Sequence, residues 1–461
     1  MKILNNKTVN YNSQPAIPSL VERGKGRGYY YSTNHSAPLV SLQEAVVKGL
    51  APDKGLYMPE KITQLPQQFF DEIGGFELTD IAKIVANAFF GEDIPKGKLD
   101  EIVTDTLNFD IPLKKIEDGI FVLELFHGPT FAFKDVGARF MARMLSYFVK
   151  EQQQDDVKVL VATSGDTGSA VANGFLGVEG IQVFVLYPSG KVSDIQEAQF
   201  TTLGQNIVAL EIDGTFDDCQ ALVKAAFMDK ELNAQMNLTS ANSINVARFL
   251  PQSFYYFHAY AQLAKQKLAD NVVISVPSGN LGNLTAGLFA KRMGLPVNRF
   301  IAANNRNDVF FNYLQTGNYT PKPSVQTIAN AMDVGAPSNF DRIVDLYTHS
   351  HKAITEDISG YTFSDEEIRS AIKTVYEKSG YLLDPHGACA YLALKQGNRS
   401  TETGIFLATA HPAKFKETVE ECIGKSIEIP DGLKAFMKGK KQSIPLSNDF
   451  NLFKKALINL S

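Results

Sequence analysis

Only three cysteines occur, Cys219, Cys389 and Cys422, and no two share a CxxC spacing. That excludes a disulfide scaffold and a zinc ribbon, and it points to a reducing compartment. The seven histidines form no HExxH pattern. The HxH of His349 and His351 reads as a polar loop, so no metal site is expected. No apolar run approaches the roughly 18 residues needed to span a bilayer, and the N-terminus lacks the apolar core of a signal peptide. The expectation is a cytoplasmic protein with no membrane partner. Excess positive charge is also missing. Lys and Arg number 45 against 50 Asp and Glu, a net charge of −5, which argues against a nucleic-acid partner. A local basic pocket for a small anion stays compatible with that balance. The chain contains no GxGxxG, and Gly190-Lys191 runs into Val192 rather than Ser or Thr, so neither a dinucleotide fingerprint nor a P-loop is present. No fixed-period repeat, low-complexity segment or obligatory protein partner is implied.

What is present is an ordinary globular balance, 44% hydrophobic and 21% charged over 461 residues, enough for two or three domains. Residues 1–28 form a polar leader ending in Arg23-Gly24-Lys25-Gly26-Arg27-Gly28, read as mobile or irregular rather than phosphate-binding. From Tyr29 to about Asp110 the pattern is mostly helical. Ser41 and Glu44 have capping-box spacing ahead of Leu42–Leu50, and Leu78–Phe90 is amphipathic. The centre alternates strand and helix. Strand-like runs occur at Val157–Ala162, Ile181–Tyr187, Ile207–Ile212, Val272–Val276, Phe300–Ala303 and Ile405–Ala408. Helical stretches occur at Val136–Lys150, Phe216–Lys230, Val246–Lys267 and Leu284–Arg292. This order predicts an α/β protein with parallel sheets covered on both faces. Residues 310–365, rich in Asn, Pro and Gly, read as loops and short helices near a site.

Two strands end in the same kind of turn. Val157–Ala162 feeds Thr163-Ser164-Gly165-Asp166-Thr167-Gly168, and Val272–Val276 feeds Pro277-Ser278-Gly279-Asn280-Leu281-Gly282-Asn283, each followed by a helix. A strand, a Gly/Ser/Asn loop and a helix present backbone N–H groups and a helix N-terminus to an anion. A tight strand-to-helix turn also needs glycine for geometric reasons alone, so each loop by itself is weak evidence. Together they favour a ligand with more than one anionic group. Phe131-Ala132-Phe133-Lys134-Asp135 sets one lysine behind two aromatic rings and ahead of a helix. Most lysines are solvated, but burial among rings and a helix N-terminus both disfavour the ammonium and free the amine as a nucleophile. Schiff-base chemistry requires that amine. A desolvated lysine with an anion-cradling loop suggests pyridoxal phosphate, without fixing the reaction.

The segment Glu124–Asp135 (ELFHGPTFAFKD) resembles the cofactor-lysine segment of threonine synthases, which belong to fold type II of the pyridoxal-phosphate enzymes. Tyr30–Thr33 and Ala45–Pro59 resemble that family's N-terminal signature. Ser164–Ser169, Tyr187–Gln199, Ser240–Arg248 and Ser278–Asn283 follow in order. Met332–Arg342 (MDVGAPSNFDR), Asp384–Gly387 and Thr409–Phe415 complete the series. The resemblance, to the longer bacterial and fungal form, runs from about Tyr29 to Lys416. It implies two parallel-sheet α/β domains plus the N-terminal helical region. The expected division is 1–110, a cofactor domain from 111–155 with 270–430, a smaller domain at 156–269, and a C-terminal segment at 431–461.

The resemblance also implies roles. Lys134 holds pyridoxal 5′-phosphate and shuttles protons. Ser278, Gly279, Asn280, Leu281, Gly282 and Asn283 hold its phosphate, Thr409 meets the pyridine nitrogen, and Asp166 lies near the 3′-oxygen. Thr163, Ser164 and Thr167 receive the substrate carboxylate. Asn242, Ser243 and Arg248 bind the substrate phosphate, the paired donors of Arg suiting that task; a surface ion pair is the bland alternative for Arg248. Asp166 stands where the wider fold type has Asn, and Leu281 where Phe is frequent. The implied reaction converts O-phospho-L-homoserine and water to L-threonine and phosphate by β,γ-elimination and β-hydration. A phospho-lyase or dehydratase releasing a 2-oxo acid is an alternative, as is a non-catalytic anion-binding module.

Overall fold

The computed structural model describes residues 28–152 and 156–460. Apart from Gly28, the polar leader lies outside the described residues. From Tyr29 the chain is mostly helical, but it first forms a small antiparallel sheet in the order Val40–Ser41, Tyr29–Ser32, Tyr57–Pro59. Strands of two to four residues carry no readable period, which is why this sheet was not expected. The capping spacing does mark a helix, Leu42–Lys48, with the Ser41 hydroxyl accepting from Glu44 N. It stops short of Leu50 because Gly49 turns left-handed at φ 68°. Leu78–Phe90 forms as expected and buries Ile81, Val85 and Phe89.

Two larger sheets follow. The first has the order Ile358–Thr362, Val297–Asn304, Val272–Pro277, Thr403–Ala408, Ile120–Glu124, Leu113–Glu117. All its pairings are parallel except the last, an antiparallel edge. The second has the order Ile444–Ser447, Ile207–Asp213, Ile181–Pro188, Val157–Ala162, Asn237–Ser240 and is wholly parallel. Val157–Ala162 and Ile120–Glu124 are buried at every residue. That is the signature of parallel strands covered by helices on both faces. The long apolar helix expected at Val246–Lys267 is broken into Val246–Phe249, a 3-10 turn at Leu250–Gln252, and Ser253–Lys265. Pro251 supplies the break, since it has no N–H to continue the ladder. Phe216–Met228 ends before Lys230 because Asp229 caps a new helix, accepting from Leu232 N.

Strand order decides where the site lies. In the first sheet, Val272–Pro277, Thr403–Ala408 and Ile120–Glu124 are successive parallel neighbours. Their carboxyl ends therefore deliver the Ser278 turn, Thr409 and the Lys134 segment side by side. In the second sheet Val157–Ala162 and Asn237–Ser240 are neighbours, so the Thr163 turn and the Asn242–Arg248 segment emerge together. Ligands of open α/β sheets sit at such ends.

The chain's last segment also joins this core. Ile444–Ser447 pairs in parallel with Ile207–Asp213, and the helix Phe450–Leu460 buries Phe453 and Leu457 in the cluster containing Leu210, Ile212 and Leu222. Phe453 has no exposed surface, so Phe453→Ala is expected to destabilise the fold by about 3–5 kcal/mol. A chemical-denaturation midpoint unchanged by that substitution would contradict the packing described.

Candidate active site

Lys134 opens the helix Lys134–Gln152. The turn before it is held from two sides. Phe131 adopts φ 57°, and the segment is zipped to the loop after Thr403–Ala408 by Phe133 N donating to Thr409 O (2.9 Å) and His411 N to Phe131 O (3.0 Å). The Asp135 carboxylate accepts from Thr130 N at 2.8 Å and Thr130 Oγ1 at 2.6 Å, tying the loop to the helix it starts. The Lys134 side chain keeps 15% exposure and lines a cavity shared with Phe133, Thr409 and the Ser278 turn. Its Nζ lies 5.1 Å from the Phe133 ring centre and 4.0 Å from Asp166 Oδ2. Burial pulls the amine down to about 8, with the Lys414 and Arg248 cations adding to the effect and Asp166 opposing it. The desolvated lysine read from the sequence is therefore present.

The glycine turn faces it. Leu281 is left-handed at φ 61°, and the helix Gly282–Arg292 that follows has no side-chain cap. Its first N–H groups therefore keep no intrahelical partner. A side chain at Gly279 would meet Ala331 O and Met332 Cα at 2.8 Å, so only glycine fits there. Asn280 braces the turn, donating to Ser243 Oγ (3.0 Å) and accepting from Ser338 N (2.6 Å). Asn283 Oδ1 takes the hydroxyls of Tyr255 and Tyr256, and its Nδ2 is buried without a partner.

Ser164, Thr167, Asn242, Ser243 and Arg248 line the same cavity. Arg248 is 2% exposed and donates through Nη1 to Ala241 O at 2.7 Å, while its Nε has no partner. Burial brings its guanidinium down to about 10 against the attraction of Asp135. A surface ion pair is thus not what Arg248 makes. Thr163, Asp166 and Ser278 stand behind the wall instead of on it. The Thr163 hydroxyl accepts from Gly165 N (2.9 Å) and Gly168 N (2.8 Å), and Ser278 donates to Val276 O (2.8 Å). Asp166 accepts from Lys414 Nζ at 2.6 Å and Gln196 Nε2 at 2.8 Å.

Three residues were quoted in the sequence without a role. Lys414 is completely buried on Asp166. His386 lines the cavity, and its Nε2 accepts from Ala331 N (3.1 Å), which leaves the Nδ1 proton to Asp384 at 2.7 Å. Arg342 is buried over the Phe249 ring and donates to Tyr57 O, Ser243 O, Ile244 O and Asn339 Oδ1. Asn339 in turn donates to Ser243 Oγ (3.1 Å) and Asn280 O (3.0 Å). One guanidinium thereby joins the N-terminal sheet, the Asn242–Arg248 segment and the glycine turn.

Residues 103–406 match the pyridoxal-phosphate dependent enzyme family, residues 29–107 the threonine synthase N terminus, and residues 386–457 the threonine synthase C-terminal region. The threonine synthase of Haemophilus influenzae is 47% identical over 420 residues, 91% of this chain and 97% of that protein. This chain belongs to the threonine synthases. The crystal structure of the Escherichia coli threonine synthase aligns with a TM-score of 0.89 at 42% identity, covering 94% of this chain and all of that one. A PLP-bound threonine synthase from Brucella melitensis aligns with a TM-score of 0.87 at 34% identity, covering 94% and 99%. The protein is accordingly a fold type II, pyridoxal-phosphate dependent lyase that acts on a small molecule. The residues present fit that cofactor. An uncapped helix N-terminus suits a phosphate, the unpartnered Asn283 Nδ2 lies beside it, and a near-neutral amine suits an aldehyde. Among the described residues no helix is long and apolar enough to cross a membrane, and no group of His, Cys, Asp or Glu is placed to hold a metal.

Arg342→Lys keeps the charge but loses the planar fork that reaches four acceptors. It is expected to cost about 2 kcal/mol or more and to weaken cofactor retention, checked by thermal melting and by cofactor titration of the same variant.

Proposed function

We propose that this chain converts O-phospho-L-homoserine and water into L-threonine and phosphate in the cytoplasm. One observation carries this reading: Lys134 and Arg248 line the same cavity, and the buried Arg248 Nε has no partner among the described residues. The glycine turn accounts for one phosphate. A second buried cation with spare donors calls for another anion, and a phosphorylated amino acid provides it.

In this reading Ser164 and Thr167, at the head of the helix Asp166–Phe175, take the substrate carboxylate. Arg248, with Asn242 and Ser243, takes the substrate phosphate by charge-assisted hydrogen bonds. Pyridoxal phosphate held on Lys134 supplies an electron sink that acidifies the carbons next to the amino group. Thr409 would meet its ring nitrogen, and the turn from Gly279 to Asn283 would hold its phosphate, with Ser278 bracing that turn from behind. Lys134 Nζ, brought down to about 8, would accept the α-proton and return it; a β-proton is lost as phosphate departs from the γ-carbon, which takes up a proton before water adds at the β-carbon. Arg248 stays in contact with the phosphate as it leaves, so charge building on the departing oxygens meets a donor already oriented. Addition of water at the β-carbon, with threonine as the product, separates this reading from release of a 2-oxo acid.

Incubating the protein with O-phosphohomoserine should yield equimolar threonine and phosphate; 2-oxobutyrate as the main product would overturn the assignment. Lys134→Ala should abolish both turnover and the visible absorbance of the bound cofactor. Arg248→Ala should raise KM for the phosphorylated substrate about 10- to 100-fold while leaving cofactor affinity within about twofold. Cofactor loss as the main effect would place the clamp elsewhere.

A further inference from the structure

Asp166 is shared unequally by two lysines, one fully buried and one partly so. Lys414 Nζ is 2.6 Å from Oδ1, with both side chains almost without exposure, whereas Lys134 Nζ is 4.0 Å from Oδ2, beyond hydrogen-bond reach. The close pair is anchored on every side. Lys414 also donates to Thr130 O (2.9 Å), and Gln199 Nε2 reaches the same oxygen (3.0 Å). Gln196 Nε2 donates to Asp166 Oδ1 (2.8 Å). Lys414 comes from the 3-10 turn Pro412–Phe415 after a strand of the first sheet, and Asp166 from the turn after a strand of the second. The contact therefore spans the two sheets and fixes the rotamer of the carboxylate. Burial opposes ionisation of Asp166, but Lys414 and then Lys134 outweigh it and hold the group below the ordinary carboxylate range.

This arrangement solves a conflict. A carboxylate beside a reactive amine stabilises its ammonium, and a closed ion pair would occupy the lone pair that must attack an aldehyde. We propose that Lys414 is a positioning residue for the reactive lysine: by occupying Asp166 it keeps Lys134 out of a closed ion pair and free to react. The inference rests on the reading of Lys134 as the cofactor lysine. Without Lys414, the carboxylate would be left with Lys134 as its nearest cation. The charged and titratable groups around the amine are Asp166 on one helix, Arg248 on the short helix Val246–Phe249, Lys414 on the 3-10 turn, and Asp135 on its own helix; His386, from a further helix, and Asp333, whose carboxyl burial raises to about 6, line the same cavity. Capture joins the amine nitrogen to the aldehyde carbon with loss of one water and consumes only the neutral amine.

The test follows the rate at which the full-length chain, stripped of cofactor, captures added pyridoxal phosphate between pH 6 and 10, by visible absorbance and borohydride trapping. For the parent the pH midpoint reports the Lys134 amine. Lys414→Met and Lys414→Gln, the latter still able to donate to Thr130 O, should move that midpoint up by about one pH unit. Asp166→Asn leaves the cations without their carboxylate and should move it down. The double variant Lys414→Gln, Asp166→Asn should fall between the two. Opposite shifts with this compensation support the positioning role, because a merely structural defect would lower capture at every pH without moving the midpoint. Single variants that shift together, fail to shift, or lose capture uniformly overturn it. Undiminished capture by Lys134→Ala would instead defeat the cofactor-lysine reading.

Discussion

A lysine amine is here largely withdrawn from water without a hydrogen-bonded partner among the described residues, and the surrounding architecture follows from that constraint. Burial alone would make Lys134 neutral at a cost in stability; a carboxylate alone would make it a stable ammonium. Asp166 at 4.0 Å lies between these limits, since it attracts the charge without closing on it. Holding a carboxylate at such a distance inside a protein requires other donors to satisfy it, and Lys414 and Gln196 do so. The reactivity of one side chain thus depends on the packing of several that do not touch the cavity.

Two parallel sheets make that packing possible. Parallel strands all end on the same edge, so neighbours in a sheet bring loops from distant parts of the sequence together with their backbone N–H groups facing outward. The first sheet contributes the amine, the glycine turn and Thr409; the second contributes Ser164, Thr167 and Arg248. Arg342 fastens the N-terminal sheet to this meeting point through neutral oxygens only. A buried guanidinium brought down to about 9 by loss of water is tolerated because it donates to four oxygens, one in a strand and three in turns beside the site. It couples the N-terminal helical region to the site without contributing to the cavity wall.

Much of this was legible beforehand, for reasons that differ by residue. Buried parallel strands such as Val157–Ala162 and Val272–Pro277 appear as short apolar runs bounded by glycine turns, so their position and the anion-facing loops after them could be read directly. Lys134 stood out because a charged residue directly behind two phenylalanines and ahead of a helix is chemically anomalous. The strands at Ile358–Thr362 and Ile444–Ser447 could not be read. They are short and lie at sheet edges, and Gly360 and Pro445 interrupt the pattern. Whether such a segment becomes a strand depends on a neighbouring edge being available, which is a property of the assembled sheet.

The sequence by itself determined the chemistry available: one amine set behind aromatic rings, two glycine turns at strand ends, and motifs resembling a single enzyme family. These are local properties, set by residue type and the few neighbours on either side. Tertiary structure alone decided which charges would face one another. Thr163 and Ser278 turned inward to hold their own loops, while Lys414, silent in the sequence, took the carboxylate nearest the reactive amine. Electrostatic coupling falls off over a few ångströms of space, and residues 134, 166 and 414 become neighbours only when two sheets close on one another.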